Sequence, residues 1–336
     1  MGRSLEIDTL LDEVKPDVLI YPTLLTGWFL NDLVPMAKSR GLPLVLCMNS
    51  WDNPSSKAVC TGAPTRLIVW GEQSKQESVR YLGLPEDIIE CFGAAQFQLY
   101  RTPPPQSRSE LRTEFDVPED KKIILYAGTG ESLNETEYLK RLDKAVTDGV
   151  LPDCHILYRP HPWRGALQEG EIDFFALDWN NVTMDPHMVE YYQREIGDPS
   201  RKFFMADYQI TNRLLTLSDA VVSARSTLLL EALVNGRPIL VLFPEEIDGQ
   251  LFSSEYIHFK SLISTPEVNS CFQLNAMDDA LRTMYEQMRT PGIQSRLKAV
   301  SEHFAVMTGD SYSVRLSNLV DELVPAETLS RPSPSA

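Results

Sequence analysis

The stretch that decides the fold runs from Leu215 to Pro244 and reads LTLSDAVVSARSTLLLEALVNGRPILVLFP. It predicts the end of a short helix, a buried strand at Ala220–Ser223, a helix over about Thr227–Asn235 and a second buried strand at Pro238–Phe243. Two apolar strands joined through a helix form a βαβ unit, whose strands run parallel in one sheet. We therefore expect an α/β fold built on parallel sheets.

A polar turn inside this unit is the first candidate for a binding site. Its polar members are Ser223, Arg225, Ser226 and Thr227. They follow a parallel strand and precede a helix, where free backbone N–H groups and the positive end of the helix dipole meet. Ser226 or Thr227 is the expected N-cap, with Glu231 in the next turn and Gly236 just after the helix. The turn suits a phosphate or carboxylate, although helix capping alone would also explain its Ser and Thr.

Length and net charge limit the classes of protein to which this chain can belong. The 336 residues are enough for two α/β domains. The net charge of −16 argues against nucleic acid as a main partner, because binding to phosphates needs clustered Lys and Arg. Apolar runs stay shorter than the ~18 residues of a membrane span, and the first residues lack the apolar core of a signal peptide. The expected compartment is cytoplasmic.

The cysteines and histidines do not predict a metal site. The five cysteines form no CxxC pair, and the five histidines lack the spacing of metal ligands. Buried free thiols are the expected state of the cysteines. We predict no metal ion.

Two series of alternating strands and helices predict two Rossmann-like domains. The expected strands are Asp17–Tyr21, Leu44–Asn49, Leu67–Trp70 and Ile88–Phe92 in the first series, then Lys122–Ala127, His155–Arg159 and Val182–Met184 before the βαβ unit. A proline-rich stretch at residues 101–109 is the expected linker. Residues 1–100 then form the first domain, residues 110–325 the second, and residues 326–336 a disordered tail. The segment Ile172–Tyr208 is expected to be largely irregular.

Ligands of open parallel sheets bind beyond the carboxyl ends of the strands. In the second half this rule selects Gly128, Thr129, Gly130, Arg159, His161, the turn from Ser223 to Thr227, and Glu245, Glu246 and Asp248. In the first half it selects Trp51, Asp52, Asn53, Ser56 and Lys57, then Gly71 to Gln73 and Gly93 to Gln96.

Two of these motifs differ in specificity. Gly128-Thr-Gly130 would let the backbone approach a phosphate, but a simple turn explains it as well, because the third glycine of a dinucleotide fingerprint is missing. Arg159-Pro-His161-Pro is more specific. Its prolines fix the loop, so that the guanidinium and imidazole present donors to an anion.

These motifs together resemble the carboxyl-terminal domain of GT-B glycosyltransferases. The resemblance rests on Tyr158-Arg-Pro-His-Pro162, followed by Ser218-Asp-Ala, Ser223-Ala-Arg-Ser-Thr, Glu231-Ala and Gly236-Arg-Pro238. It is strongest for branches with an HP motif and a Ser-Thr motif, namely sialyltransferase-like, Kdo-transferase-like and CDP-glycerol polymerase-like enzymes. In the first half, Val69-Trp-Gly-Glu72 and Cys91-Phe-Gly-Ala-Ala-Gln-Phe97 resemble the end of the first domain of such enzymes. The resemblance implies two Rossmann-like domains facing a cleft.

The resemblance also assigns roles to the candidate residues. It implies that His161, Ser226 and Thr227 bind the nucleotide and its phosphate, and that Gly128–Gly130 line the donor site. It also implies that Glu231 binds the ribose, although Glu231 could instead be an exposed helical residue. Asp52 is the first candidate for catalytic base and Glu72 the second, with His161 as a further catalytic candidate. An Asx-type turn before Pro54 would also explain Asp52. Lys57 and Arg225 would offset the charge of the leaving group, and a solvated lysine would explain Lys57 equally well.

The implied reaction is a metal-independent transfer of a sugar from a nucleotide-sugar donor to a hydroxyl acceptor, with no cofactor. The acceptor would be a glycan, a lipid-linked glycan or a small molecule. Three alternatives stay open: a CDP-glycerol-type phosphotransferase, a sugar-nucleotide 2-epimerase, and a non-catalytic GT-B relic that binds a nucleotide. Because the first domain has four predicted strands where six or seven are usual, we expect it to be short. A second subunit could cover its open sheet edge, so a homo-oligomer is one expectation.

Overall fold

The computed structural model describes residues 4–23, 30–58, 60–130, 133–197, 207–243 and 257–324. The predicted tail at residues 326–336 and the candidates Glu245, Glu246 and Asp248 lie outside these ranges. The chain divides into two compact units. The first contains Met1–Gln98, Phe252–His258 and Glu302–Ala336, and the second contains Leu99–Leu251 and Phe259–Ser301.

The described residues form ten strands and twelve α-helices. The strands are β1 (Leu19–Tyr21), β2 (Leu44–Cys47), β3 (Arg66–Val69), β4 (Ile89–Cys91), β5 (Lys122–Ala127), β6 (Cys154–Arg159), β7 (Val182–Met184), β8 (Ala220–Ser223), β9 (Ile239–Leu242) and β10 (Asn269–Cys271). The helices are α1 (Leu5–Val14), α2 (Leu30–Arg40), α3 (Glu72–Leu82), α4 (Arg108–Glu114), α5 (Glu135–Thr147), α6 (Pro186–Gly197), α7 (Tyr208–Leu217), α8 (Leu228–Val234), α9 (Phe259–Ile263), α10 (Met277–Met288), α11 (Ile293–Ser301) and α12 (Tyr312–Leu323).

The described part of the first unit holds a parallel sheet of four strands in the order β1-β2-β3-β4. The four predicted strands are confirmed, each with one or two residues trimmed or added at its ends. β1 lies at an edge, and Ile20 on it is 42% exposed. The predicted homo-oligomer that would cover this edge stays a prediction.

The last helix, α12, belongs to the first unit. Its Leu319 is buried with Val45, Ile68 and Phe92 of the first sheet, and Arg315 donates a hydrogen bond from Nη1 to the carbonyl oxygen of Cys91 at 3.0 Å. The predicted second domain, residues 110–325, includes this helix. The observed division into two units differs from the predicted one because the apolar face of α12 packs on a sheet that lies far earlier in the sequence.

The described part of the second unit holds a parallel sheet of six strands in the order β10-β9-β8-β5-β6-β7. The predicted strands β5, β7 and β8 have the expected bounds, and β8, α8 and β9 form the predicted βαβ unit. The expectation that Ile172–Tyr208 is largely irregular is wrong at its centre. Residues Pro186–Gly197 form a helix, because Met188, Tyr191 and Tyr192 recur at helical spacing and bury one face.

Candidate functional site

The strand order brings three predicted segments to one edge of the second sheet. β5 lies between β6 and β8, and its last residue, Ala127, is in register with Arg159 on β6 and with Ser223 on β8. Gly128–Gly130, the loop with His161 and the turn up to Thr227 therefore begin at neighbouring positions on the carboxyl edge. The ligands of open parallel sheets bind at such an edge.

The loop after β5 needs its glycines because neighbouring groups approach closely. A Cβ on Gly128 would lie 2.7 Å from Oε2 of Glu135 and 3.0 Å from the backbone nitrogen of His161. A Cβ on Gly130 would lie 3.2 Å from Nδ1 of His161. Between them, Thr129 is buried, and its Oγ1 is enclosed without a hydrogen-bond partner among the described residues. The loop thus combines a close backbone approach with a hydroxyl that has no hydrogen-bond partner among the described residues.

Glu135, which is absent from the sequence-based candidates, holds this loop. Its Oε1 accepts a hydrogen bond from the backbone N–H of Thr129 at 2.8 Å, and its Oε2 accepts one from the hydroxyl of Tyr158. Nη1 of Arg164 lies 3.3 Å from Oε1 of Glu135, and Nη2 of the same guanidinium pairs with Glu171. The motifs give no signal for this cluster, because Glu135 reads as an ordinary residue in the first turn of α5.

Charge balance in this cluster depends on one arginine. The side chains of Glu135, Arg164 and Glu171 are at most 5% exposed. Burial raises the pKa of Glu135, and the positive charge of Arg164 partly offsets that effect. Burial alone would lower the pKa of Arg164, but Glu135, Tyr158 and Glu171 outweigh burial and raise it. Among the described residues, these two buried carboxylates therefore share one cation, Arg164, beneath the candidate loop.

His161 is held in a defined orientation. Its Nδ1 accepts a hydrogen bond from the backbone N–H of Trp163 at 2.9 Å. Since Nδ1 is an acceptor, the proton of the neutral ring sits on Nε2, which is then a donor. A ring with a fixed Nε2–H suits contact with a phosphate oxygen. This geometry agrees with the predicted role, which stays a prediction.

Two of the predicted binding residues already have strong partners within the protein. Arg159 is buried and forms an ion pair with Asp185, whose side chain is fully buried. Ser223 is buried, and its hydroxyl donates to the carbonyl oxygen of Ala127 at 2.8 Å, which links β8 to β5. Both residues therefore shape the edge of the sheet through contacts inside the protein.

The polar turn leaves two hydroxyls near the start of α8. Oγ of Ser226 accepts a hydrogen bond from the backbone N–H of Leu228 at 3.2 Å. Thr227 is the N-cap residue, as predicted, but its side chain makes no capping hydrogen bond. Arg225, Ser226 and Thr227 are half-buried. Gly236 follows α8 with a φ of +70°, as expected for the residue after a helix.

Glu231 is buried in the structure and accepts a hydrogen bond from the hydroxyl of Tyr100. Burial raises the pKa of Glu231 to about 6, against the lowering effects of Tyr100 and of the charge on Arg159. The alternative that Glu231 is an exposed helical residue is therefore wrong. Tyr100, in the 3-10 helix Ala95–Arg101, was missed because its partner lies far away in the sequence.

In the first unit, the structure brings Asp52 and Lys57 together. Nζ of Lys57 lies 2.6 Å from Oδ2 of Asp52, and Nδ2 of Asn53 donates to Oδ1 of Asp52 at 3.2 Å. Asp52 precedes a single π-helical turn, Asn53–Lys57. Burial opposes ionisation of Asp52, but Lys57, Ser50 and His258 together lower its pKa. Lys57 is thus an ion-pair partner as well as an exposed loop residue.

The second candidate for catalytic base, Glu72, has a different environment. It is exposed at the start of α3 and accepts a hydrogen bond from Nε2 of Gln76 at 2.8 Å. Asp52, by contrast, is only 7% exposed. The ranking of Asp52 before Glu72 as the catalytic base stays a prediction.

The described ranges contain neither a cluster of potential metal ligands nor a helix that could span a membrane. No group of three or more His, Cys, Asp or Glu residues in them could hold a metal ion. No helix in the same part of the chain is long and apolar enough to cross a membrane. None of the five cysteines forms a disulfide with another of them.

Comparison with known proteins identifies the fold. No family model and no curated protein sequence matches this chain. Among solved structures, the wall teichoic acid polymerase TagF matches with a TM-score of 0.52 and 17% identity over 94% of this chain and 74% of TagF. UDP-GlcNAc 2-epimerase from Neisseria meningitidis, bound to UDP-GlcNAc, matches with a TM-score of 0.55 and 12% identity over 94% and 79% of the two chains. MnaA from S. aureus with UDP matches with a TM-score of 0.51 and 11% identity over 98% and 82%.

These likenesses concern the fold. Together with the two parallel sheets, they confirm the predicted GT-B-like architecture of two Rossmann-like domains.

Proposed function

We propose that this chain is a glycosyltransferase that moves a sugar from a nucleotide-sugar donor to a hydroxyl acceptor, without a metal ion or cofactor. The observation that carries the proposal is the register of Ala127 with Arg159 and Ser223, which gathers three polar segments at one edge of the second sheet. The expected acceptor is a glycan, a lipid-linked glycan or a small molecule. The protein is expected to act in the cytoplasm and without nucleic acid.

The groups at this edge suit the phosphates of a nucleotide. His161 offers an Nε2–H, Thr129 an enclosed hydroxyl without a protein partner among the described residues, and Ser226 and Thr227 two more hydroxyls. Arg225, in the same turn, brings a positive charge. Hydrogen-bond donors that are fixed in position before the reaction stabilise the negative charge that develops on a leaving phosphate. Transfer of a sugar from a nucleoside diphosphate requires that this charge be stabilised.

Two of the similar solved structures each favour one of the alternative functions. The likeness to TagF supports a CDP-glycerol-type phosphotransferase, and the likeness to the 2-epimerase supports a sugar-nucleotide 2-epimerase. Both would use the same anion-binding edge. A GT-B relic that binds a nucleotide without turnover is the remaining alternative.

A panel of donors separates these functions. Thermal shift with UDP-, GDP-, dTDP-, CMP- and CDP-linked donors would identify the nucleotide, and stabilisation by one base is the expected result. Slow hydrolysis of that donor without an acceptor would support transfer of its group, and the released product would tell a sugar from glycerol phosphate. Interconversion of epimers would support the sugar-nucleotide 2-epimerase. Binding without turnover would support the non-catalytic relic. Absence of any stabilisation would overturn the proposal.

His161→Ala is expected to weaken binding of that nucleotide by about 10–100-fold, the worth of one hydrogen bond to a charged group. Isothermal titration calorimetry measures this loss. The matched control is His187→Ala in the same unit, since His187 is exposed and pairs with Glu114 at 3.1 Å. Equal affinities for the two variants would remove His161 from the site.

Donor affinity is expected to fall as the pH drops through about 6. An ionised Glu231 accepts hydrogen bonds from ribose hydroxyls more strongly than a protonated one, and burial raises the pKa of Glu231 to about 6. The ionised form therefore dominates above that pH and disappears below it. Dissociation constants between pH 5 and 8 test this, because the diphosphate diester of the donor does not titrate in that range. Glu231→Gln should flatten the profile, and an unchanged slope in that variant would exclude Glu231.

A further inference from the structure

One buried carboxylate, that of Glu135, joins two loops at the carboxyl edge of the second sheet. Glu135 lies in the first turn of α5. Its Oε1 accepts the backbone N–H of Thr129 at 2.8 Å, in the loop after β5. It also binds the hydroxyl of Tyr158 and the guanidinium of Arg164, whose Nη1 lies 3.3 Å from Oε1. Tyr158 and Arg164 bracket His161 in the sequence, so the same carboxylate holds both ends of the segment that carries the imidazole.

The two loops also contact each other directly. The backbone N–H of Gly128 donates to the carbonyl oxygen of Arg159 at 2.8 Å, and that of Arg164 donates to the carbonyl oxygen of His161 at 3.0 Å. A Cβ on Gly130 would lie 3.2 Å from both Nδ1 and Cε1 of His161, so the ring packs against the backbone of Gly130. A shift of either loop relative to the other therefore moves the imidazole.

The charge of Glu135 does not explain its place in this cluster. Within the described ranges Arg164 already pairs with Glu171, so Glu135 adds a second buried negative charge beside one cation. Burial opposes ionisation of Glu135 and raises its pKa. A buried carboxylate of this kind is weak evidence for stability. The contribution that the geometry does explain is its reach, because one side chain contacts both loops.

We propose that Glu135 is a positioning residue for His161, because it fixes the imidazole against the loop after β5 in the orientation that binds a nucleotide phosphate. This inference rests on the proposed function. Glu135 acts through its length: one carboxyl oxygen reaches the N–H of Thr129 while the other meets the hydroxyl of Tyr158. It contacts no ligand itself, and no bond forms or breaks at it.

Two substitutions separate the reach of this side chain from its charge. Glu135→Gln keeps the length and an oxygen that can accept the N–H of Thr129, but it removes the charge. Glu135→Asp keeps the charge but is shorter by one carbon–carbon bond, about 1.5 Å, which takes the carboxylate out of hydrogen-bond range of that N–H. Tyr158→Phe removes only the hydroxyl bound to Glu135 and serves as a second test if Glu135→Asp does not fold. Leu142→Ala is the control for lost stability, because Leu142 is a fully buried core residue of the same helix.

The tautomer of His161 is a readout that needs no ligand. With 15N-labelled histidine, NMR at pH 8 shows which ring nitrogen carries the proton of a neutral imidazole, and the His161→Ala variant identifies the signal. We expect the Nε2–H tautomer in the wild type, in Glu135→Gln and in Leu142→Ala. Glu135→Asp and Tyr158→Phe should show a mixture of both tautomers, because Nδ1 no longer meets the N–H of Trp163 at a fixed distance.

Nucleotide affinity is the second readout. The probe is whichever of UDP, GDP, dTDP, CMP and CDP raises the Tm of the wild type most, and isothermal titration calorimetry measures its Kd. We expect Glu135→Asp to weaken binding by about tenfold, the lower end for a hydrogen bond to a charged group. Glu135→Gln and Leu142→Ala should keep the wild-type affinity. The double variant Glu135→Asp/His161→Ala should bind no more weakly than His161→Ala alone, since Glu135 acts through His161.

Three results would overturn the proposal. Equal losses in Glu135→Gln and Glu135→Asp would mean that the charge matters rather than the reach. A wild-type tautomer in the folded variants Glu135→Asp and Tyr158→Phe would mean that Glu135 does not orient the ring. The same loss of affinity in Leu142→Ala would mean that any weakening of α5 has this effect. If none of the nucleotides binds the wild type, the proposed function fails, whereas the tautomers still decide whether Glu135 positions His161.

Discussion

Arg164→Ala is expected to lower the free energy of unfolding by about 3–5 kcal/mol, because it leaves buried carboxylates without their cation. Arg164 lies 3.3 Å from Glu135 and also pairs with Glu171, and all three side chains are at most 5% exposed. Chemical denaturation monitored by circular dichroism measures the loss. A loss below about 1 kcal/mol, the usual worth of a surface ion pair, would mean that the carboxylates find another partner.

A matched variant and a pH series sharpen this test. Arg282→Ala removes a surface arginine that is 57% exposed and pairs with Asp279 at 3.0 Å, so it should cost far less. Since burial raises the pKa of Glu135, acidification should protonate it and shrink the deficit of Arg164→Ala. A deficit that stays constant down to pH 4 would point to lost packing rather than to unpaired charge.

Asp52→Asn is expected to reduce turnover by about 10²–10⁴-fold while donor affinity stays unchanged, since this is the usual contribution of a positioned general base. The substitution keeps the shape of the side chain and the contact with Asn53, but it removes the proton acceptor. Single-turnover kinetics at saturating donor, together with calorimetric affinity for the same donor, separate the two effects.

Asp87→Asn is a suitable control for Asp52→Asn, because Asp87 is an exposed residue of the same unit. It should leave the rate unchanged. If Asp52→Asn kept the wild-type rate, Asp52 would be excluded as the base, and the exposed Glu72 would become the candidate to test. If both rate and affinity fell together, the substitution would have disturbed the π-helical turn instead.

The sequence alone predicted the sheets well, because buried parallel strands are continuous apolar runs. The bounds of β5, β7 and β8 follow from such runs, and the polar residues after β5, β6 and β8 follow from the rule that ligands bind at the carboxyl edge. The short strand β10 was missed, because its three residues, Asn269–Cys271, carry too little apolar pattern.

Side-chain partners between distant elements could not be predicted. The contact of Tyr100 with Glu231 and the position of Glu135 beneath the Gly128 loop depend on how distant elements pack. A single sequence carries periodicity and turn chemistry, but it does not state which charged residue on one helix meets which residue on another. For that reason the motifs located the edge and missed the groups that support it.

The position of α12 also affects how the protein is made. Val45, Ile68 and Phe92 of the first sheet leave the ribosome early, but Leu319, which buries them, emerges only after the whole second unit has been translated. The nascent chain therefore carries an uncovered apolar surface throughout that interval. Such surfaces bind chaperones or aggregate, so slower translation of the second unit should lower the yield of folded protein.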